Sequence, residues 1–206
     1  MTYTVHSLFH TLQGEGVMTG RSAVFLRFAG CNLWSGREQH RASAICRFCD
    51  TEFVGGSKYV DATALADAAR ACWDEATVGP GAPYIVCTGG EPLLQLDPPL
   101  IAALQQKGFT VAVETNGTLP APAGIDWLCV SPKAGADFVQ QSGDELKVVW
   151  PQPGLDLEQL GQLPFRHHLL QPMDGHDGAT TVCLQWCLKH PRWRLCLQTH
   201  KILDIP

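Results

Sequence analysis

The sequence predicts an α/β fold: an incomplete, open parallel β/α barrel with few helices. Three observations carry this. Seven short segments are rich in Val, Leu and Ile at consecutive positions, as parallel strands are when covered on both faces. Helix-period segments alternate with several of them, the order of βαβ units. The connection "TNGTLPAPAGI" (115–125) is too short and too rich in Pro and Gly for a crossover helix, and 206 residues is near the lower limit for a closed eight-fold barrel.

The elements follow in order. "AVFLRFA" (23–29) reads as a strand and leads into a long irregular segment, 30–60, that carries three cysteines. Loops of that length in a compact domain are usually functional. "DATALADAARACW" reads as a helix with Asp61 as its N-cap. After the strand "YIVCT" (84–88), "PPLIAALQQKG" starts at Pro98 and stops at Gly108, proline first and glycine last as helices prefer. "FTVAVE" (109–114), "DWLCVS" (126–131) and "ELKVVW" (145–150) read as strands, and "DLEQLGQL" (156–163) as a weak helix. "RHHLLQ" (166–171), a helix over "GATTVCLQWCLKHP" that stops before Pro191, and the strand "WRLCLQ" (193–198) complete the set. No repeat, low-complexity tract or linker divides the chain, so 1–206 is expected to be one domain.

Composition narrows the function. Apolar residues make up 45 % and charged residues 17 %, which supports a packed core and excludes disorder. No apolar run reaches membrane-spanning length, and "MTYTVHSLFH" lacks the basic start and apolar stretch of a secretory signal, so no membrane partner and a cytoplasmic location are expected. A net charge of −5 argues against nucleic acid as a partner, but leaves room for a small anion in a local basic pocket. The nine cysteines show no disulfide-scaffold rhythm and read as reduced thiols. Cys72, Cys87 and Cys129 lie in predicted elements as small hydrophobes, and Cys183 and Cys187 share a helix face that reads as core.

Polar motifs stand at the strand ends: "TGGEP" (88–92), "ETNG" (114–117), "SPK" (131–133), "QPMDG" (171–175) and "QTHK" (198–201). Each alone reads as a turn. Together, at the carboxyl ends of parallel strands, they converge on one mouth, where such folds bind ligands. The cysteine loop opens into the same mouth. Cys31, Cys46 and Cys49 are separated by fourteen and then two residues. A structural zinc would need a fourth ligand, and His40 is within the loop. A cubane iron–sulfur cluster needs only three thiolates and leaves one iron open to a small molecule. The location at the mouth favours the cluster.

These residues resemble the radical S-adenosylmethionine (SAM) superfamily. Its hallmark is three cysteines spaced by three and then two residues on the loop after the first barrel strand, with an aromatic before the last; here that aromatic is Phe48. The first gap departs from the pattern by an insertion of about "WSGREQHRASA". Lengthening a flexible loop this way costs only about 1–1.5 kcal/mol of closure entropy, so the ligands can still converge. Within the superfamily the chain is similar, over most of its length, to the 7-carboxy-7-deazaguanine synthase family: "LFHTLQGEG" (8–16), "FLRFAGCNL" (25–33) and "CRFCDTEF" (46–53) join the strand-end motifs in this.

The resemblance implies a 4Fe–4S cluster on Cys31, Cys46 and Cys49. It implies SAM against Phe48, Cys49, Asp50, Gly90, Glu91, Ser131, Pro132, Lys133, Gln171, Pro172, Met173 and Asp174, and Mg²⁺ at Thr51. The implied substrate, 6-carboxy-5,6,7,8-tetrahydropterin, would meet Leu12, Gln13, Gly14, Glu15, Gly16, Arg27, Thr88 and Pro206, with His200 near. The implied reaction is a radical ring contraction to 7-carboxy-7-deazaguanine with loss of ammonia, served by a flavodoxin- or ferredoxin-like electron donor in a possible homodimer. An arginine in an apolar strand is costly unless paired, which suits Arg27 to the substrate carboxylate. Glu15, Glu91 and Glu114 are acid–base candidates by location alone. Ile202, Leu203 and Ile205 are expected to pack across the opening and bring the Pro206 carboxylate to the pocket. Two other readings share some of these features. An activating enzyme for a glycyl-radical partner shares "GCNL" and "CDT", although "LQGEG" argues against it. A zinc-stabilised binding module shares the cysteines.

Overall fold

The computed structural model describes residues 1–206. Its strands are β1 (Tyr3–Leu12), β2 (Ser22–Phe28), β3 (Ser57–Tyr59), β4 (Tyr84–Gly89), β5 (Thr110–Thr115), β6 (Trp127–Val130), β7 (Gly143–Trp150), β8 (Phe165–Pro172) and β9 (Trp193–Leu195). Its helices are α1 (Ala62–Ala76), α2 (Pro98–Gln106), α3 (Leu157–Leu160), α4 (Ala179–Lys189) and α5 (Thr199–Leu203). The strands form one sheet in the order β3-β1-β2-β4-β5-β6-β7-β8-β9. From β2 to β9 every pairing is parallel, while β1 is antiparallel to both β2 and β3. The two ends of the sheet do not meet, so the barrel is open, with a short loop and no helix between β5 and β6.

Local chemistry sets the helix ends. The Asp61 carboxylate accepts from the Ala64 N–H at 2.8 Å, and Asp97 accepts from Leu100 N at 3.1 Å ahead of a Pro-first helix. Leu65, Ala66, Ala69 and Trp73 of α1 bury one face, as do Leu100, Ile101 and Leu104 of α2. The period-2 alternation of the strands then divides the sheet. Leu26 and Phe28, Val111 and Val113, Leu146 and Val148 join the core. Their neighbours Phe25, Arg27, Glu114, Lys147 and Val149 line a cavity on the other face. Apolar packing on that face is confined to Ala23, Tyr84, Val86 and Ala112, with Phe25 and Trp127 against them. The expected strands, apolar on both faces, are thus apolar on one and charged toward their carboxyl ends on the other.

The other departures are local. β1 alternates apolar residues with Thr, His and Ser, the pattern of a half-exposed strand rather than an apolar run. β9 stops at Leu195, three residues before the expected end, and the chain turns into the five-residue α5. Ile202 and Leu203 do not pack across the opening: they are 72 % and 58 % exposed. Ile205 and Pro206 do line the cavity, because Asp204 adopts a left-handed conformation that reverses the chain there.

Candidate active site

The cavity lies at the carboxyl ends of the parallel strands and encloses about 470 Å³. Its floor is carried on strands. Lys147 of β7, almost fully buried, forms ion pairs with Glu15 in a very short contact and with Glu114 at 2.9 Å. Glu15 also accepts from Gln198 Nε2 at 2.8 Å and Gln171 Nε2 at 3.3 Å, and Glu114 accepts from Gln13 Nε2 at 2.8 Å. Burial alone would push Glu15 up, but the Lys147 charge and the donated hydrogen bonds outweigh it and hold Glu15 below the usual carboxylate range. Burial disfavours a charged Lys147 too, and its two carboxylates more than reverse that. The cluster therefore sets one buried cation between two carboxylates.

Arg27 of β2 lines the wall. Its guanidinium makes no hydrogen bond or ion pair within the chain and stands 5.9 Å from the Phe9 ring. Burial pulls its pKa down, against the opposing pull of Asp50 and Glu114. A cationic fork with open donors thus lines the same cavity as the two carboxylates.

The rim holds Cys31, Cys46 and Cys49, all lining the cavity. The nearness of the two thiols holds Cys49 down to about 6 and pushes Cys46 up. Lys133, also at the cavity, donates to Ser131 O at 2.6 Å and Ser131 Oγ at 2.8 Å, and its charge favours both thiolates. No three His, Cys, Asp or Glu side chains are grouped to hold a single ion. A cubane asks for something else, one thiolate per iron, and three cysteines that line one cavity meet that need. His40 is not placed as a fourth ligand: it is exposed, and its ring nitrogens engage Ser35 Oγ at 2.8 Å and Gln39 Nε2 at 3.3 Å.

"TGGEP" packs directly against the start of the cysteine loop. A Cβ on Gly90 would stand 2.1 Å from Gly30 O and 2.8 Å from the Cys31 Cβ, so only glycine permits this approach. Glu91 N donates to Gly30 O at 2.9 Å. The Glu91 side chain turns inward, fully buried, and accepts from Thr115 Oγ1 at 2.6 Å, Asn116 N at 2.8 Å and Leu93 N at 3.0 Å. It joins the ends of β4 and β5 and does not line the cavity.

Of the expected SAM contacts, Phe48, Cys49, Asp50, Gly90, Ser131, Lys133, Gln171, Pro172 and Asp174 line the cavity, as do Thr51 and the substrate candidates Leu12, Gln13, Gly14, Glu15, Arg27, Thr88 and Pro206. Four expected contacts lie off it. Besides Glu91, Pro132 is buried beneath its loop. Met173 is turned back by its N–H bond to Trp150 O at 2.8 Å. Gly16 faces the Glu145 carboxylate, which accepts from Val17 N at 3.1 Å.

The structure adds Lys147, Asn116, Gln198 and Lys201 to the cavity. Lys201 of α5 pairs with Asp50 at 2.5 Å and Asp174 at 2.6 Å, and Thr199 N and Oγ1 donate to Gly14 O at 2.9 and 3.0 Å. The last nine residues are thereby strapped to both the cysteine loop and the 12–16 turn. Lys147 carries the same signal that singled out Arg27, a cation inside an apolar strand, and could have been read the same way.

No family model matches the chain. It is 58 % identical to a 7-carboxy-7-deazaguanine synthase of Bordetella pertussis, 56 % identical to one of Caulobacter vibrioides and 30 % identical to one of Escherichia coli, covering all of both chains in each case. Among solved structures, QueE from Escherichia coli matches with a TM-score of 0.74 at 26 % identity, over 96 % of this chain and 94 % of that one. Full-length identity to enzymes bearing one name, and a solved structure of the same open architecture, agree with the cavity just described: the chain belongs to the 7-carboxy-7-deazaguanine synthase family.

Proposed function

We propose that this enzyme contracts the ring of 6-carboxy-5,6,7,8-tetrahydropterin to give 7-carboxy-7-deazaguanine with loss of ammonia, as a radical SAM reaction of queuosine or deazapurine biosynthesis. The observation that carries the reading is the layout of one cavity: three cysteines at the rim, an unpaired guanidinium on the wall and two carboxylates joined by a lysine on the floor. A 4Fe–4S cluster and SAM, when bound, supply the one-electron chemistry that begins hydrogen abstraction from the substrate. Cys31, Cys46 and Cys49 would hold the cluster, and the residues from Phe48 to Asp50, Gly90, Ser131, Lys133, Gln171, Pro172 and Asp174 would hold SAM.

The chain's own residues do the rest by orientation. Arg27 offers a planar fork matched to the substrate carboxylate. Each carboxylate has about four acceptor positions. Glu15 spends three on Lys147, Gln171 and Gln198, and Glu114 spends two on Lys147 and Gln13. The remaining positions suit the N–H donors of an amino-pyrimidine edge. Thr51 offers one hydroxyl to a Mg²⁺ ion, which keeps most of its shell as water and substrate oxygens. Phe9, Phe25, Trp34 and Phe53 supply apolar walls that limit water near the reacting carbon. His200 and Pro206 close the cavity from the C-terminal segment.

The reading also brings an external one-electron donor of flavodoxin or ferredoxin type, and a homodimer in the cytoplasm. No helix is long and apolar enough to cross a membrane. One sheet and one principal core of 28 buried residues support a single functional unit over 1–206. The test is anaerobic reconstitution with iron and sulfide, followed by SAM, Mg²⁺, a reductant and the carboxypterin. Brown, iron-loaded protein that forms 7-carboxy-7-deazaguanine by mass spectrometry is expected. One zinc per chain with no SAM cleavage would point to a binding module. SAM cleavage that leaves the carboxypterin untouched would point to a protein substrate.

A further inference from the structure

We propose that Arg41, inside the segment that lengthens the cysteine loop, is a positioning residue for Cys46 and Cys49. The inference rests on the reading of those cysteines as cluster ligands and concerns what fixes them.

The turn from Cys46 to Thr51 has no internal backbone support. No N–H of residues 47–52 donates to a main-chain carbonyl, and no carbonyl of residues 46–52 accepts from a main-chain N–H. The segment is tied at its start, where Ile45 N and Cys46 N donate to Leu33 O at 3.1 and 3.4 Å. Beyond that point Arg41 takes over. Its Nη1 donates to Arg47 O at 2.9 Å and to Cys49 O at 3.0 Å, so one nitrogen spans the turn. Its Nε donates to both Glu38 carboxylate oxygens, at 2.9 and 2.7 Å. Its guanidinium carbon lies 4.1 Å over the Trp34 ring, and Trp34 meets Phe53 edge-on at 5.5 Å in the cavity wall. Arg41 does not itself line the cavity.

A planar guanidinium fork can bond a carboxylate through Nε, stack on an indole and still direct Nη1 at two carbonyls; an ammonium has donors for the two carbonyls but no second nitrogen and no planar face by which it could be braced. The 3-10 turn of the insertion, Glu38–Ser43, presents that fork. The fourteen-residue gap therefore supplies a brace that the turn lacks. It also places a fixed positive charge behind two thiolates, which favours an added electron on whatever they bind.

The test compares Arg41→Gln, Arg41→Lys and, as a control for charge alone, Arg47→Gln, whose exposed side chain donates its one hydrogen bond to Ala44 O. In cluster-free protein, amide exchange at Ile45 and Cys46 should speed up about tenfold in Arg41→Gln, with the β4 and β5 amides unchanged. After reconstitution, iron loss to a chelator should accelerate about tenfold and the cluster's midpoint potential, followed by EPR, should move to a more negative value. Arg41→Lys should keep the wild-type potential but lose iron faster, and Arg47→Gln should match wild type in iron loss. Wild-type exchange and iron loss in Arg41→Gln would overturn the brace. Wild-type protein that takes up no iron would instead overturn the cluster reading, so the two failures are separately visible.

Discussion

The floor and the rim of the cavity are held by different means. The floor places Lys147 on β7, Glu114 on β5 and Gln171 on β8, each fixed by a strand ladder before its side chain makes a contact. The rim places Cys46, Cys49, Asp50 and Thr51 on backbone with no ladder, held by Arg41 from behind and by Lys201 from across the cavity. Backbone hydrogen bonds fix a site cheaply, because the same bonds already build the fold. Where they stop, long cationic side chains must do the fixing. The floor is a stiff, charge-locked surface; the rim is a set of ligands on braces.

Four changes would break or sharpen this contrast. The largest effect is expected at the rim. Cys31, Cys46 or Cys49 changed to Ala should abolish iron binding and SAM cleavage, each removing an anchor. Cys183→Ala should spare both, because that thiol is buried in α4 against Trp150 O; an iron-free Cys183→Ala protein would contradict the assignment. Next comes the floor. Lys147→Met strands two carboxylates in a buried place and should cost about 3–5 kcal/mol of folding stability by urea denaturation.

The pH dependence gives that second change a sign. In the wild type, Glu15 has a folded pKa below its ordinary 4.5. Its contribution is complete above that value and is lost as pH falls through the lower folded one. Without Lys147, burial dominates and raises the folded pKa above the unfolded value. Glu91 and Glu145, raised by burial, act alike in both proteins, so the gap in urea midpoint between wild type and Lys147→Met should narrow from pH 7 to pH 4.

Arg27→Ala should weaken carboxypterin binding by about 2–4 kcal/mol while SAM binding stays unchanged, because beyond its place near the Phe9 ring the guanidinium has no hydrogen bond or ion pair within the chain to lose. Isothermal titration separates the two ligands; equal pterin affinity would place Arg27 outside the binding event. The smallest effect is expected at the strap. Residues added after Pro206 should raise the pterin dissociation constant severalfold without changing iron content. Wild-type affinity in the extended protein would dismiss a role for that carboxylate.

What was legible in the sequence follows the same division. The parallel strands, α1, α2 and α4 and the missing crossover helix could be read, because apolar runs, Asp61, Pro98 and the Pro/Gly-rich 115–125 segment act locally. The convergence of strand-end motifs could be read too, since parallel order alone forces it. β1 was hidden by its alternation and α5 by its five-residue length, too short for any period. Glu91 could not be placed: a carboxylate at a strand end is equally suited to ligand and backbone donors, and only the fold shows Thr115, Asn116 and Leu93 arriving from behind. The role of Arg41 was out of reach for a similar reason, because its acceptors are carbonyls, which carry no side-chain signature.

The open sheet has a further consequence, for solubility. A closed barrel has no edges; this one needs its mouth wide enough for a cofactor and a substrate, and so leaves two. Free edges offer unpaired N–H and C=O groups to any passing strand. Here the two edge strands, β3 and β9, are the shortest in the sheet, three residues each, and each carries a cation, Lys58 or Arg194. Three residues are too few to template a stable pairing, and the charges repel an identical copy. Lengthening β3 with apolar residues, away from the cavity, should make the protein prone to edge-to-edge aggregation.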